Sequence, residues 1–215
     1  MIAATGQDAL LSPDSVLHRA AERLAIQFSG MVNEETVERV VFESYTALAR
    51  TAAVRTHLPS LAEKFARDRL TALAQSKGLI AKRVPEILFV CVRNSGRSQM
   101  AAALTRRLAG ERVHVRSAGS QPGERILPEV ALALAELDLD VTEEFPKPLT
   151  DDVVRAADAV VTMGCGDACP LYPGKRYLDW QLDDPAELDL DGVRRVRDDI
   201  RDRVEQLLGE LIRGS

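Results

Sequence analysis

Ile87-Leu88-Phe89-Val90-Cys91-Val92-Arg93-Asn94-Ser95-Gly96-Arg97-Ser98 decides the fold, because an apolar run ends on a cysteine, a short polar loop follows, and Gln99 to Leu108 then reads as a helix. A short loop between strand and helix turns successive backbone N–H groups inward, and the helix N-terminus adds partial positive charge, so a tetrahedral anion can be cradled there. Arg97 can bind two of that anion's oxygens at once. A negative sulfur at Cys91 would sit in the same field, and Ser98 can donate a hydrogen bond to it. A buried strand cysteine followed by a chance polar turn would leave Asn94, Arg97 and Ser98 without a reason. Arg93 is expected either at the rim of the site or as a solvated loop arginine.

Outward from this loop the second part of the chain alternates apolar strands with helical stretches, which predicts an α/β domain on a parallel sheet. Ile87 to Cys91 and Ala159 to Met163 are the clearest strands, and Val113 to Ser117 is a weaker one ending at Ala118 and Gly119. Helices are expected after Ser98, after Pro128, from Asp151, and from Val193 to Ile212. Upstream, apolar residues recur every three or four positions at Val16, Ala20, Leu24 and Phe28, at Val37, Val41, Tyr45 and Leu48, and at Leu61, Phe65, Leu70 and Leu73, which predicts three helices. Ser12 before Pro13 and Asn33 before Glu34 and Glu35 are expected caps, Pro59 opens the third helix, and Gly78 closes it. The domain boundary falls near 81–85, giving a small all-α three-helix bundle over 1–82 and an α/β domain over 83–215.

The 215 residues carry 28 Lys or Arg and 33 Asp or Glu, a net charge of −5, so an anion site must supply its own local field. No basic block suggests nucleic acid, and no segment suggests a signal peptide or membrane span, so a cytoplasmic setting is expected. There the three cysteines, Cys91, Cys165 and Cys169, would stay reduced. No metal is expected, because His18, His57 and His114 are scattered and Cys165-x3-Cys169 has no second ligand pair. Two inert cysteines remain an alternative for that pair. The nearly neutral helical unit argues against a DNA-binding module, and its limited core favours a homodimer through these helices.

The loop at 91–98 with Gln99 and Met100, the Ser117-Ala118-Gly119 turn and the Trp180 to Pro185 segment resemble the low-molecular-weight tyrosine phosphatase superfamily, and within it the thiol-dependent arsenate reductases. The resemblance covers 84–213. It implies a four-stranded parallel sheet flanked by helices, with Cys91 as nucleophile, Val92, Arg93, Asn94, Ser95, Gly96, Arg97 and Ser98 around arsenate or a phosphate-like oxyanion, and Asp184 rather than Asp183 as general acid. A phosphatase needs one cysteine, whereas a reductase can use Cys165 and Cys169 as a disulfide relay reset by an external thiol, thioredoxin by resemblance. Three departures from the pattern stand out. Only three residues separate the last two cysteines where many relatives have more. Gly96 replaces a cysteine of some members, and Ala102 a potassium-binding glutamate. Thr162 to Asp167 also looks like relatives that use mycothiol with a glutaredoxin-like partner, in which Cys91 alone would be essential. A phosphatase and a non-enzymatic oxyanion or redox sensor remain the competing expectations, with Gln99 after Arg-Ser and Ala186 after Asp-Pro weighing against the phosphatase.

Overall fold

The computed structural model describes residues 12–52, 56–164, 166 and 169–213. The chain divides into two compact units, with the division in the sequence falling between Ala81 and Lys82.

The first unit contains α1 (Pro13–Gln27), α2 (Glu34–Ala49) and α3 (Leu58–Ser76). Their starts are chemical. Ser12 Oγ accepts from the Ser15 N–H at 3.3 Å and Asn33 Oδ1 from the Thr36 N–H at 3.0 Å, each satisfying a donor that helix geometry leaves open. Gly30 and Gly78 follow α1 and α3 with φ of +76° and +70°, a left-handed backbone that glycine adopts without a Cβ penalty. Ala20, Leu24, Phe28, Val37, Val41, Leu48, Phe65 and Leu70 are buried as the 3.6-residue period predicts, whereas on α1 Leu17 is buried in place of Val16, and Tyr45 on α2 is half-buried. The periodic leucines Leu61 and Leu73 are only half-buried, and Ala62, Ala66, Ala72 and Ala74 carry much of the inner face of α3. Small side chains let helices approach closely, and a search for large apolar residues misses them.

The second unit is built on a four-stranded parallel sheet in the order β2-β1-β3-β4. β1 (Glu86–Cys91) is flanked on both sides, by β2 (His114–Gly119) and β3 (Ala159–Met163), so all six of its residues are buried, and after Glu86 its sequence reads as a continuous apolar run. β4 (Arg176–Asp179) lies at the edge, half-exposed, with charges at both ends, and its sequence carries no strand pattern. Between and after the strands run α4 (Arg97–Ala109), α5 (Pro128–Ala135), α6 (Asp151–Ala156) and α7 (Leu190–Arg213).

Ile87, Phe89 and Cys91 alternate along β1 and join Met100 and Leu104 of α4 in one core with Trp180 and with Val193, Val196, Ile200 and Val204 of α7. Side chains of this size contribute roughly 1.5–3 kcal/mol each on full burial. Glu136, just after α5, pairs with Arg194 and Arg197 of α7 and ties the two helices together. The Arg194 hydrogen bond, aided by Arg197, brings this carboxyl down to about 2.

Glu86 enters the core as a charge. It is 1% exposed and bonds Arg116 at 2.6 Å, with His114 Nδ1 at 3.2 Å from its other oxygen. Burial pushes its carboxyl up, but the bonds and charges of His114 and Arg116 outweigh that and hold it below the usual carboxylate range.

Candidate active site

β1 ends at Cys91, and the chain turns at once into the loop that leads to α4. Asn94 has φ of +49°, a left-handed conformation that asparagine tolerates better than most residues. Three bonds hold it there. Its Nδ2 donates to Ser98 Oγ at 2.7 Å, and its Oδ1 accepts from Gln99 Nε2 at 3.1 Å and from the Lys147 N–H at 2.8 Å. The Asn94 N–H is thereby aimed at Cys91 Sγ, 3.2 Å away. Ser98 Oγ lies 3.0 Å from the same sulfur. Because Ser98 Oγ accepts from Asn94, its own proton is available to the sulfur, which then sits between two donors.

A second segment walls the loop from outside. The N–H groups of Ser120, Gln121, Gly123 and Leu127 donate to the carbonyls of Cys91, Val92, Arg93 and Ser95 at 2.8–3.2 Å. The fit is close enough to need glycine at two places. A Cβ at Gly119 would lie 2.8 Å from the Val92 carbonyl oxygen, and one at Gly123 would lie 2.5 Å from Ser95 Oγ. Ser117-Ala118-Gly119 pointed to this wall, but the part played by Gln121, Gly123 and Leu127 was not read from the sequence. Pro122-Gly123 after the strand was the available signal.

Arg97 opens α4 and is 8% exposed. Its Nη1 donates to the Leu182 carbonyl and its Nη2 to Asp184 Oδ2, both at 3.2 Å. Asp184 Oδ1 accepts from the Ala186 N–H at 3.1 Å, so the carboxylate caps the short turn Pro185–Glu187. That turn lies against the loop, and a Cβ on Gly96 would meet Pro185 Cγ at 3.2 Å. Asp183 lines a different groove, of about 530 Å³, with Leu188, Arg195 and Asp199. Arg93 is exposed. The structure thus brings together Cys91, Asn94, Arg97, Ser98 and Asp184.

Gly164 touches this group from the end of β3. It has φ of +74°, and a Cβ there would lie 3.0 Å from Arg97 Nη1. Cys165 lies outside the described residues. Cys169 is buried, its Sγ 3.9 Å from the Pro170 carbonyl, and it lines a groove with Thr162, Tyr177 and Asp179. Among the described residues, no group of three or more His, Cys, Asp or Glu side chains is placed to hold a metal ion. The arrangement presents a sulfur between donors, an arginine with a two-pronged guanidinium, and a carboxyl group bonded to that arginine. Those are the parts needed for nucleophilic attack on a tetrahedral oxyanion.

Several known proteins are similar to this chain. Residues 17–74 match a family described as the N-terminal domain of protein-tyrosine-phosphatase-like proteins. A thioredoxin-dependent arsenate reductase of Corynebacterium glutamicum is 48% identical, with a TM-score of 0.84, covering 94% of this chain and 98% of that one. Arsenate reductase 1 of Bacillus cereus is 36% identical over 124 residues, 56% of this chain and 91% of that protein. An arsenate reductase solved in its phosphate-binding state is 31% identical with a TM-score of 0.52, covering 60% of this chain and 99% of that one. Residues 86–214, from the first residue of β1 through the end of α7, match the low molecular weight phosphotyrosine protein phosphatase family, and the chain belongs to it.

Proposed function

We propose that this protein reduces arsenate to arsenite by thiol chemistry. The observation that carries the reading is the similarity to a thioredoxin-dependent arsenate reductase along nearly the whole chain, the helical unit included. The geometry around Cys91 supports the first step. Cys91 Sγ attacks arsenic, a new sulfur–arsenic bond forms, and an arsenate oxygen leaves as water after taking a proton from Asp184. Arg97 and the loop amides hold the remaining oxygens through that step.

A second sulfur then attacks Cys91 Sγ. The sulfur–arsenic bond breaks with its electron pair on arsenic, releasing arsenite and leaving a disulfide. Cys165 supplies that sulfur on this reading, because it directly follows Gly164, which stands against Arg97. Cys169 next attacks Cys165, Cys91 departs as a thiolate, and the two electrons are restored by an external dithiol of the thioredoxin class. Residues 83–215 carry this chemistry, in a cytoplasmic setting where the thiols stay reduced. The helices of 1–82 pair two copies, and Ile26, 80% exposed on α1, offers an apolar contact. No helix among the described residues is long and apolar enough to cross a membrane.

The test is NADPH consumption with arsenate, thioredoxin and thioredoxin reductase, comparing wild type with Cys91→Ser, Cys165→Ser and Cys169→Ser. Loss in all three variants is expected. Activity retained without Cys165 and Cys169 when mycothiol and a glutaredoxin-like protein are supplied would replace the relay with a transferase. Aryl-phosphate hydrolysis without arsenate-dependent consumption would make the protein a phosphatase. A single monomeric species in sedimentation at micromolar concentration would overturn the homodimer.

A further inference from the structure

The chain immediately after Cys169 is pinned at three points. The Tyr177 hydroxyl on β4 accepts from the Tyr172 N–H at 2.8 Å and donates to the Pro170 carbonyl at 3.1 Å. The Tyr172 hydroxyl in turn donates to Asp151 on α6, with the Arg155 guanidinium 4.2 Å from its ring centroid. Lys175 Nζ donates to the carbonyls of Arg155 and Ala157 at 2.6 Å each. Of these anchors only Tyr177 reaches the residue beside Cys169, and the Pro170 carbonyl it holds is the one that Cys169 Sγ also approaches. Tyr177 and Cys169 line the same groove, of about 470 Å³, with Thr162, Leu178 and Asp179.

We infer that Tyr177 is a positioning residue for the reductant-facing end of the relay. Its hydroxyl bridges two main-chain groups on either side of Leu171, so the turn after Cys169 is clamped to the sheet edge. Residues before Cys169 include Gly164 and Gly166, both with positive φ, which impose no such side-chain anchor. Cys169 is thereby a fixed post, and the external dithiol meets its sulfur in the groove at one place and orientation. The inference rests on the proposed relay for the role of Cys169 and for the identity of that dithiol. Neither the arsenate site nor the Cys91 cradle involves Tyr177.

Tyr177→Phe in the full chain keeps the ring and removes both hydrogen bonds. In steady-state turnover the KM for thioredoxin should rise about five- to tenfold, the loss expected for a pair of neutral hydrogen bonds, with the KM for arsenate unchanged. A single turnover without thioredoxin should release arsenite at the wild-type rate. A second readout needs no arsenate chemistry: with Cys91→Ser and Cys165→Ser in the background, Cys169 should be alkylated by iodoacetamide several-fold faster when Tyr177→Phe is added. The KM and the alkylation rate are measured well below the melting temperature, so that global unfolding contributes to neither, and a merely structural role of the tyrosine would leave the thioredoxin KM unmoved. Unchanged thioredoxin KM or unchanged Cys169 alkylation overturns the clamp. If the wild type consumes no NADPH with arsenate, the reductase reading fails, and the alkylation rates still decide the clamp.

Discussion

The two ends of β1 each bury a group able to carry negative charge, and they treat it in opposite ways. At Glu86 the carboxylate is met by the cationic side chain of Arg116, with His114 beside it, so the charge is answered within the protein. At Cys91 the sulfur is met by an amide N–H and a hydroxyl, and the buried guanidinium that opens α4, Arg97, is bonded to Asp184. The first end is closed to outside anions. The second keeps donors in hand, and an incoming oxyanion can compete with Asp184 for Arg97. One strand therefore separates a charge that stabilises the fold from a sulfur that can react, which locates ligand chemistry at the carboxyl end of the sheet.

The sharpest way to break this contrast is Cys91→Ser. Arsenate turnover should fall below detection in the coupled assay, while the melting temperature changes little. Arg97→Lys should follow, because an ammonium cannot grip two oxygens side by side as a guanidinium does; kcat/KM should drop by about 10²–10³-fold. Appreciable activity in the lysine variant would mean that the loop amides alone hold the anion.

At the other end, Glu86→Gln removes the charge that Arg116 Nε bonds at 2.6 Å and should cost roughly 3 kcal/mol in denaturant unfolding near neutral pH. Its pH dependence has a definite sign. Because the folded carboxyl titrates below the usual range, its stabilisation is present above the unfolded value and disappears as pH falls through the lowered one. The gap in melting temperature between wild type and Glu86→Gln should therefore narrow on acidification below the usual carboxylate range. A gap that widened in acid would contradict the ion pair. The smallest expected effect is that of Ser98→Ala, which removes one donor from the sulfur and leaves the Asn94 amide. A loss of about 10-fold in the rate of single-turnover arsenite release is expected, corresponding to one hydrogen bond to a developing charge.

Much of this contrast was legible in the residues because it is local. The spacing from Cys91 to Ser98 between an apolar run and a helix leaves few geometries, and the Asp184-Pro185 pair brought the carboxylate into view before its contact with Arg97 was known. What escaped reading depends on partners distant in sequence. The Glu86 pair crosses to β2, and the Lys147 N–H that fixes Asn94 comes from 53 residues away. β4 is short and lies at the sheet edge, so it needs no alternating pattern. Tyr177, the clamp on the chain after Cys169, sits on that unrecognised strand. The apolar period located the N-terminal helices, yet it named leucines where α3 uses alanines, because period reports a face and not how closely the neighbouring helix approaches.

The four rungs from Ser120, Gln121, Gly123 and Leu127 to the loop carbonyls also bear on how the protein sorts anions. A loop braced from outside cannot widen or flatten without breaking backbone bonds, so on the function proposed above selection acts on shape before charge. Phosphate and arsenate, tetrahedral and nearly alike in size, should compete for it. Nitrate and carbonate, planar ions of the same sign, should compete far more weakly, and a competition series against arsenate turnover measures that discrimination directly.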